Sequence, residues 1–317
     1  MGSKSVCNKN KCVVICGPTA SGKSSMGAIL ASEFNGVVIS ADSMQIYRGF
    51  EIGTAKPTTE ELSKVEHRLI GFLDPRKTFS VAQYQSLALK ETERILSEGR
   101  LPFIVGGTGL YVDSILHNTK FANYGEDPGI RKGLESDFDS LGAEAMLDRL
   151  KAVDPDAAAR LHPADRKRIL RALEIYKLTG VTATRHNLES RSVPSRYDFL
   201  VLTLCYEDRS KLYSRIDERV DLMLENGLLD EARSMYEAGE ENFPTLSQAI
   251  GYKELFSYFK GESTLEDAVE LLKRRSRNYA KRQMTWFRKY DSVHITMDDG
   301  DGLRRAREEV KKFTEEG

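Results

Sequence analysis

Gly17-Pro18-Thr19-Ala20-Ser21-Gly22-Lys23-Ser24 decides the fold of this chain. It fits the pattern G-x-x-x-x-G-K-[ST], and its flanks give that pattern meaning. Before it, Cys12-Val13-Val14-Ile15-Cys16 is a short apolar run that reads as a strand. After it, residues 24–34 set Met26, Ile29, Leu30 and Phe34 at helical spacing. A strand, a glycine-rich turn and a helix in that order curl main-chain N–H groups inward. The helix N-terminus adds the positive end of its dipole, and Lys23 adds a full charge. Residues Gly17 to Ser24 are therefore expected to bind phosphate, with the Ser24 hydroxyl as a Mg2+ ligand. The pattern does not say whose phosphate it is.

Outward from this loop, apolar runs and helical stretches alternate. Val37-Val38-Ile39 ends in Ser40-Ala41-Asp42, a helix is expected over 80–98 and stops at Gly99, and Pro102-Phe103-Ile104-Val105 ends in Gly106-Gly107-Thr108. That alternation predicts an α/β fold of the P-loop NTPase-like kind, a parallel sheet flanked by helices. Functional residues of such sheets gather at the carboxyl ends of strands, where Gly17, Asp42 and Gly106 stand. The character changes near residue 119. A loop over Asn123–Gly129 leads into helical stretches at 130–138, 142–152, 155–161 and 165–178, and 184–197 is polar and rich in Arg and Ser. Phe199-Leu200-Val201-Leu202-Thr203-Leu204 reads as one more core strand, followed by helix to the end. The expected organisation is a core of 1–118 plus 198–317, interrupted by a helical insertion over 119–197.

Composition narrows the function. With 317 residues and 40% hydrophobic content the chain can bury a sizeable core. Its net charge of -1 announces no polynucleotide partner, so any such partner must meet a local basic patch. Cys7, Cys12, Cys16 and Cys205 form no CxxC pair and no zinc-like cluster, which favours a reducing compartment. The N-terminal stretch is no signal peptide, since its apolar run is short and flows into the phosphate loop. Val6 stands where a myristoylation pattern after Gly2 requires Ser or Thr. No stretch approaches a membrane span, and a cytoplasmic monomer is expected.

A P-loop hydrolase or kinase needs a metal-holding Asp at the end of a hydrophobic strand. The strand ending in Gly106-Gly107-Thr108 has none. The strand ending at Asp42 does, which leaves Asp42 as either a metal-site carboxylate or a general base.

Further motifs narrow the choice. They are Asp42-Ser43-Met44-Gln45-Ile46-Tyr47-Arg48-Gly49, Ile52-Gly53-Thr54-Ala55-Lys56-Pro57, Gly106-Gly107-Thr108-Gly109-Leu110-Tyr111 and Arg168-Ile169-Leu170-Arg171-Ala172-Leu173-Glu174. Near the end stand Gln248-Ala249-Ile250-Gly251-Tyr252-Lys253-Glu254 and the run from Arg277 to Arg288. Together with the phosphate loop, in order from about residue 12 to about 290, this series closely resembles the tRNA dimethylallyltransferase family. The resemblance implies transfer of a dimethylallyl group from dimethylallyl diphosphate to N6 of the adenosine just 3′ of the anticodon. That base must be flipped from its stack, at a cost of roughly a few kcal/mol. The loop then holds a prenyl diphosphate, and the tRNA anticodon stem-loop is the partner.

The chemistry asks for the same groups. An exocyclic adenine amine is a poor nucleophile, so a carboxylate that takes its proton is needed, and Asp42 is the candidate base. The departing diphosphate needs main-chain N–H groups, Lys23, Mg2+ and an arginine. Thr19 is placed to bond its oxygens. By resemblance the segment Ser214–Arg219 supplies the arginine, with Arg215 favoured over Arg219. By resemblance also, Asp42, Ser43, Met44 and Gln45 face the adenosine, and an amide such as Gln45 can read an adenine edge. Thr108, Gln248, Arg131 and the stretch Lys167, Arg168, Ile169, Leu170 and Arg171 are implied to touch tRNA.

A basic patch does appear over residues 273–289. On a helix, Arg274, Arg277, Lys281 and Arg288 form one stripe suited to phosphates. Leu272, Ser276, Tyr279, Gln283 and Trp286 form another, expected to pack on the core. Two competing readings share the loop: an adenylate isopentenyltransferase acting on free adenine nucleotides, and a P-loop small-molecule kinase.

Overall fold

The fold is taken from a computed structural model that describes residues 10–121, 127–190 and 194–315. Gly2, Val6, Cys7 and the loop residues Asn123–Glu126 lie outside the described residues, as does part of the polar 184–197 stretch. The chain divides into two compact units, Met1–Leu116 with Arg196–Gly317, and His117–Ser195.

Strand β1 (Lys11–Cys16) feeds the phosphate loop and helix α1 (Lys23–Glu33), and the chain returns as β2 (Gly36–Ser40). Helix α2 (Thr59–Lys64), β3 (His67–Arg68), α3 (Val81–Ser97), β4 (Leu101–Gly106) and α4 (Gly109–Leu116) follow. The second unit holds α5 (Pro128–Leu141), α6 (Ala143–Val153), α7 (Pro155–Ala158), α8 (Arg166–Thr179) and α9 (Ala183–Ser190). The chain rejoins the first unit as β5 (Asp198–Cys205), then α10 (Arg209–Glu225), α11 (Leu228–Glu237), α12 (Lys253–Phe259), α13 (Leu265–Phe287), β6 (Val293–Thr296) and α14 (Gly302–Glu315).

The sheet has the order β3-β2-β4-β1-β5-β6, and every pairing is parallel. A parallel sheet covered on both faces needs continuous apolar strands, which is why β1, β2 and β4 are buried along nearly their whole length. Alternate residues of β1 serve opposite faces. Val13 and Ile15 pack with Met26, Leu30 and Val310 from α1 and α14. Val14 and Cys16 pack with Tyr84, Val112, Ile115 and Phe287 from α3, α4 and α13. A separate apolar core joins α10 to α13 with the 44–52 segment, around Ile46, Val220, Tyr252 and Leu272. The second unit has its own core of Leu134, Phe138, Met146, Leu150, Ile169 and Leu173.

Local signals explain the boundaries. Ser80 and Gln83 form a capping box at the start of α3, and Gly99, at φ +72°, turns the chain after it. Asp127 caps α5, whose first residue is Pro128. Three elements depart from the sequence expectation. Residues 183–190 are helical despite their polarity, because Thr184 is held at its N–H and hydroxyl by the buried Asp154. The two-residue β3 and the four-residue β6 are too short to show periodicity, and each lies at a sheet edge where one neighbour strand suffices.

Two glycines test this packing in opposite directions. A Cβ on Gly106 would lie 2.2 Å from Ala41 O, whereas one on Gly133 in α5 would meet nothing within 4 Å. Gly106→Ala is expected to destabilise the protein by about 3 kcal/mol or more. Gly133→Ala should stabilise it by about 0.5–1 kcal/mol. Urea unfolding of both variants checks this, and equal midpoints would refute it.

Candidate active site

Three neighbouring strands, β2, β4 and β1, end flush. Cys16 pairs with Gly106 and Ser40 with Val105, so the chain leaves all three strands at one level. Ala41 N–H donates to Val105 O at 2.8 Å, and Thr108 N–H donates to Ala41 O at 3.1 Å. Ser43 N–H then donates to Thr108 Oγ1 at 3.0 Å. The phosphate loop, the Asp42 loop and the 106–108 turn are thereby fastened side by side, outside the carboxyl edge of the sheet.

The loop's own backbone is shaped by its glycines. Gly17 lies at φ +147°, and a Cβ there would come 2.7 Å from Leu204 O. Gly22 caps α1 in the left-handed region, at φ +88°. Lys23 Nζ donates back to Pro18 O, which lays the side chain along the loop. Burial, helped by the like charge of Arg219 and opposed by Asp42, lowers the Lys23 ammonium to about 8. Burial also pulls the Arg219 guanidinium below its ordinary value, again against Asp42. Two cations and one carboxylate thus meet in a poorly solvated place, and an anionic ligand would relieve the excess of positive charge.

Thr19 is held at two points. Its N–H donates to Gln283 Oε1 at 2.7 Å, and its Oγ1 accepts from Arg219 Nη1 at 3.2 Å. Arg215, the residue favoured from sequence, is exposed and donates from Nε to Ala20 O at 3.1 Å. Both arginines reach the loop, but Arg219 lines the cavity and Arg215 supports the loop from outside. The two stand one turn apart on α10, Arg215 beside Ala20 and Arg219 beside Thr19. Arg219 shares a face of α10 with Ile216, Val220 and Met223, all of which line the same cavity.

That cavity has a volume of about 380 Å³ and is built by the first unit alone. Thr19, Ala20, Lys23 and Ser24 of the phosphate loop line it, and so do Asp42, Ser43, Met44 and Gln45. Ile216, Val220, Met223, Ala249, Ile250 and Leu272 give an apolar wall. Asp42 Oδ1 accepts from the N–H groups of Met44 at 2.8 Å and Gln45 at 3.4 Å, which leaves Oδ2 for a ligand. Gln45 does not offer its whole amide as the sequence reading supposed. Its Nε2 donates to Ala55 O at 2.8 Å and its Oε1 accepts from Ser40 Oγ at 3.0 Å, so it braces the loop. Thr108 is not a lining residue, because its hydroxyl ties Ser43. Gln248 lines the cavity while remaining exposed.

A carboxylate holds the far rim. Glu231 of α11 accepts the N–H groups of Glu51, Ile52 and Gly53 at 2.7, 3.0 and 2.8 Å, and the Tyr252 hydroxyl at 2.8 Å. It joins the 52–57 and 248–254 motifs, which stand about two hundred residues apart in the chain.

The stripe of α13 expected to pack on the core does so at Leu272, and it also forms cavity wall. Leu272, Ser276, Tyr279 and Gln283 line it, and Trp286 is partly exposed with its indole N–H donated to Asp113. On the other stripe, Arg274, Lys281 and Arg288 are exposed, but Arg277 is half-buried in an ion pair with Asp217. In the second unit, Lys167, Arg168 and Arg171 are exposed. Ile169 and Leu170 are buried in that unit's own core, so their side chains are not free for a partner. Arg131 pairs with Glu135 and Glu174. From sequence, Gln283 and Tyr279 stand only as core-packing residues of a stripe, and Arg219 only as the less favoured of two arginines. Their signal is only the phase of two helices against a loop distant in the chain.

Ser24 and the single carboxylate of Asp42 face the same space. Among the described residues no group of three or more His, Cys, Asp or Glu could hold a metal alone. This donor set fits a Mg2+ that takes most of its ligands from phosphate oxygens and water.

Comparison with known proteins adds a family. The family model described as IPP transferase matches residues 45–290. The tRNA dimethylallyltransferase of Halalkalibacterium halodurans is 48% identical over 285 residues, covering 90% of each chain. That of Bacillus subtilis is 46% identical over 291 residues, covering 92% of this chain and 91% of the relative. A crystal structure of the full-length tRNA isopentenylpyrophosphate transferase from Bacillus halodurans matches with a TM-score of 0.71 and 44% identity, covering 97% of each chain. A eukaryotic dimethylallyltransferase acting on tRNA matches with a TM-score of 0.83 and 30% identity, covering 97% of this chain and 80% of that one.

Lys23 supplies a direct test. Its free ammonium is lost as pH rises through about 8, and a bound anion would restore its affinity for the proton. Inorganic diphosphate binding near pH 8.5 should therefore take up protons in calorimetry across buffers of different ionisation enthalpy. The Lys23→Met variant should take up fewer. Equal uptake by the two proteins would show that Lys23 does not meet the anion.

Proposed function

The chain belongs to the IPP transferase family, and from that premise we propose that it moves a dimethylallyl group from dimethylallyl diphosphate to N6 of the adenosine 3′-adjacent to the anticodon in tRNA, releasing diphosphate. The chain is a prenyl-transferring enzyme, with a P-loop NTPase-like fold. One observation supports the finer reading: the phosphate loop and Asp42 line one cavity that also has apolar lining. A diphosphate, a five-carbon tail and an attacking base ask for these three surfaces.

The donor's diphosphate lies against the loop, where the first turn of α1 leaves N–H groups without helical partners. Lys23 and Arg219 meet its charge, and Arg219 replaces Arg215 in this role because it reaches the cavity. Since Thr19 Oγ1 already accepts from Arg219, its own proton is free to go to a diphosphate oxygen. The N6 lone pair forms a bond to the first carbon of the tail, and the carbon–oxygen bond breaks with its electron pair leaving on diphosphate. The N6 proton passes to Asp42 Oδ2, the oxygen not held by the loop's own amides. The Ser24 hydroxyl would hold a Mg2+, which would supply positive charge toward the leaving diphosphate and leave Asp42 Oδ2 to take the proton. Ser43, Met44 and Gln248 border the acceptor base. Lys281 on α13, and Arg131, Lys167, Arg168 and Arg171 in the second unit, meet tRNA phosphates, which give affinity more than selectivity. We assign this activity to the cytoplasm and to a monomer. Among the described residues no helix is long and apolar enough to cross a membrane.

Unmodified tRNA, the protein and dimethylallyl diphosphate should yield dimethylallyl-adenosine by nucleoside mass spectrometry, without consumption of ATP. Free AMP should remain unmodified. Asp42→Asn should lower single-turnover transfer by about 10²–10⁴-fold and leave tRNA binding within a few-fold of the parent. Label appearing in AMP but not in tRNA would reverse the substrate assignment, and an unimpaired Asp42→Asn would remove the base.

The two cations of α13 should separate in binding. Lys281→Ala should weaken tRNA binding and reduce the slope of log affinity against log salt by about one. Arg277→Ala should chiefly lower the thermal midpoint, because it strands Asp217 half-buried. A salt slope unchanged in Lys281→Ala would take this helix out of the tRNA interface.

A further inference from the structure

Gln283 stands between the two halves of the cavity and makes one bond to each. It comes from α13, is 5% exposed, and its amide is used at both ends. Oε1 accepts the Thr19 N–H of the phosphate loop at 2.7 Å, and Nε2 donates to Gly107 O at 2.9 Å. Nothing larger than hydrogen is tolerated opposite it, since a Cβ on Gly107 would lie 2.3 Å from Gln283 Nε2.

Each contact continues toward a reacting group. On the donor side, Thr19 holds the Arg219 guanidinium through its hydroxyl. With its N–H occupied by Gln283, Thr19 can offer a ligand only its hydroxyl. On the acceptor side, Gly107 precedes Thr108, whose Oγ1 accepts the Ser43 N–H next to Asp42. Gln283 therefore spans from the loop that would hold the leaving group to the turn that fixes the base. A bulky apolar residue would fill the same space without fixing either bond.

We propose that Gln283 is a positioning residue that sets the separation between the phosphate loop and the Asp42 loop, and so the alignment of the donor carbon with the attacking nitrogen. The inference rests on the transferase reading above. It predicts a particular kinetic signature. Each substrate has its own binding surface and is held nearly as well without Gln283, whereas the alignment is lost. A misplacement of about 1 Å costs on the order of 10²-fold in rate.

Two shape-preserving variants test this. Gln283→Met keeps the volume and removes both bonds. Gln283→Glu keeps an acceptor for Thr19 N–H but sets an oxygen against Gly107 O, and it decides the matter if the methionine variant does not fold. The expected result is a fall of about 100-fold in the single-turnover rate with saturating dimethylallyl diphosphate and unmodified tRNA. The dissociation constants of inorganic diphosphate and of tRNA should stay within about threefold of the parent. A folded variant with a rate within about threefold of the parent would overturn the proposal. So would a loss of rate matched by an equal loss of diphosphate affinity. Absence of transfer by the parent protein would instead refute the function, whatever Gln283 does.

Discussion

The site depends on the close approach of three strand ends with no side chain between them. β4 lies between β2 and β1, and its last residue, Gly106, sits against the main chain of Ala41 so tightly that a single methyl group cannot enter. Because β4 is central, this contact fixes at once the exit of the phosphate loop from β1 and that of the Asp42 loop from β2. Ala41 exchanges main-chain bonds with Val105 and Thr108 across the same junction. Backbone-to-backbone contact of this kind has no rotamers to relax, so the two loops are placed by the sheet itself. Side chains such as Gln283 then adjust what the sheet has already set.

Electrostatics follows from this geometry. A P-loop brings a lysine into a half-buried space at the edge of the sheet. The fold then adds Arg219 beside it, with only Asp42 as a facing negative charge. Like charges held together out of water raise the free energy of the empty protein, and burial shows as a Lys23 ammonium that gives up its proton near pH 8. A dianionic or trianionic group removes that tension. The same arrangement favours a leaving group over its parent ester, since charge grows on the oxygens as the carbon–oxygen bond breaks. The apolar wall from α10 and α13 keeps water from the other side of the cavity, where a carbocation-like tail would otherwise meet it.

Much of this was legible in the sequence, and the limit of legibility is physical. The phosphate loop is local: eight consecutive residues fix both its backbone and its charge. Asp42 was legible because strand ends are marked by the stop of an apolar run. The order of the strands was not, and only that order makes Asp42 and Lys23 neighbours. Arg215 and Arg219 stand one helical turn apart, so no spacing rule separates them. What decides is which face of α10 the second apolar core draws inward, and Ile216 and Val220 settle that through contacts with distant segments. Ile169 and Leu170 show the converse error. A motif read as a contiguous contact strip is a helix, and a helix turns its third and fourth residues into its own core. Gln283 carried no local signal at all, for a polar residue on an apolar stripe gains meaning only from the loop it meets.

The insertion between β4 and β5 raises a problem of chain entropy. β1 must pair with both strands, yet just over eighty residues separate α4 from β5. An unstructured loop of that length would add closure cost and compete with pairing. The second unit avoids this by having its own apolar core and by bringing its ends together. Lys120 N–H donates to Ser190 O at 2.8 Å, next to the point where the chain returns. To the sheet, the insertion therefore behaves as a short connection. Every residue lining the cavity also comes from the first unit, so the insertion supplies none of its side chains. Its exposed basic residues, Lys167, Arg168 and Arg171, are carried on the helix whose other face fills that core, so charge and packing are set there by one periodicity.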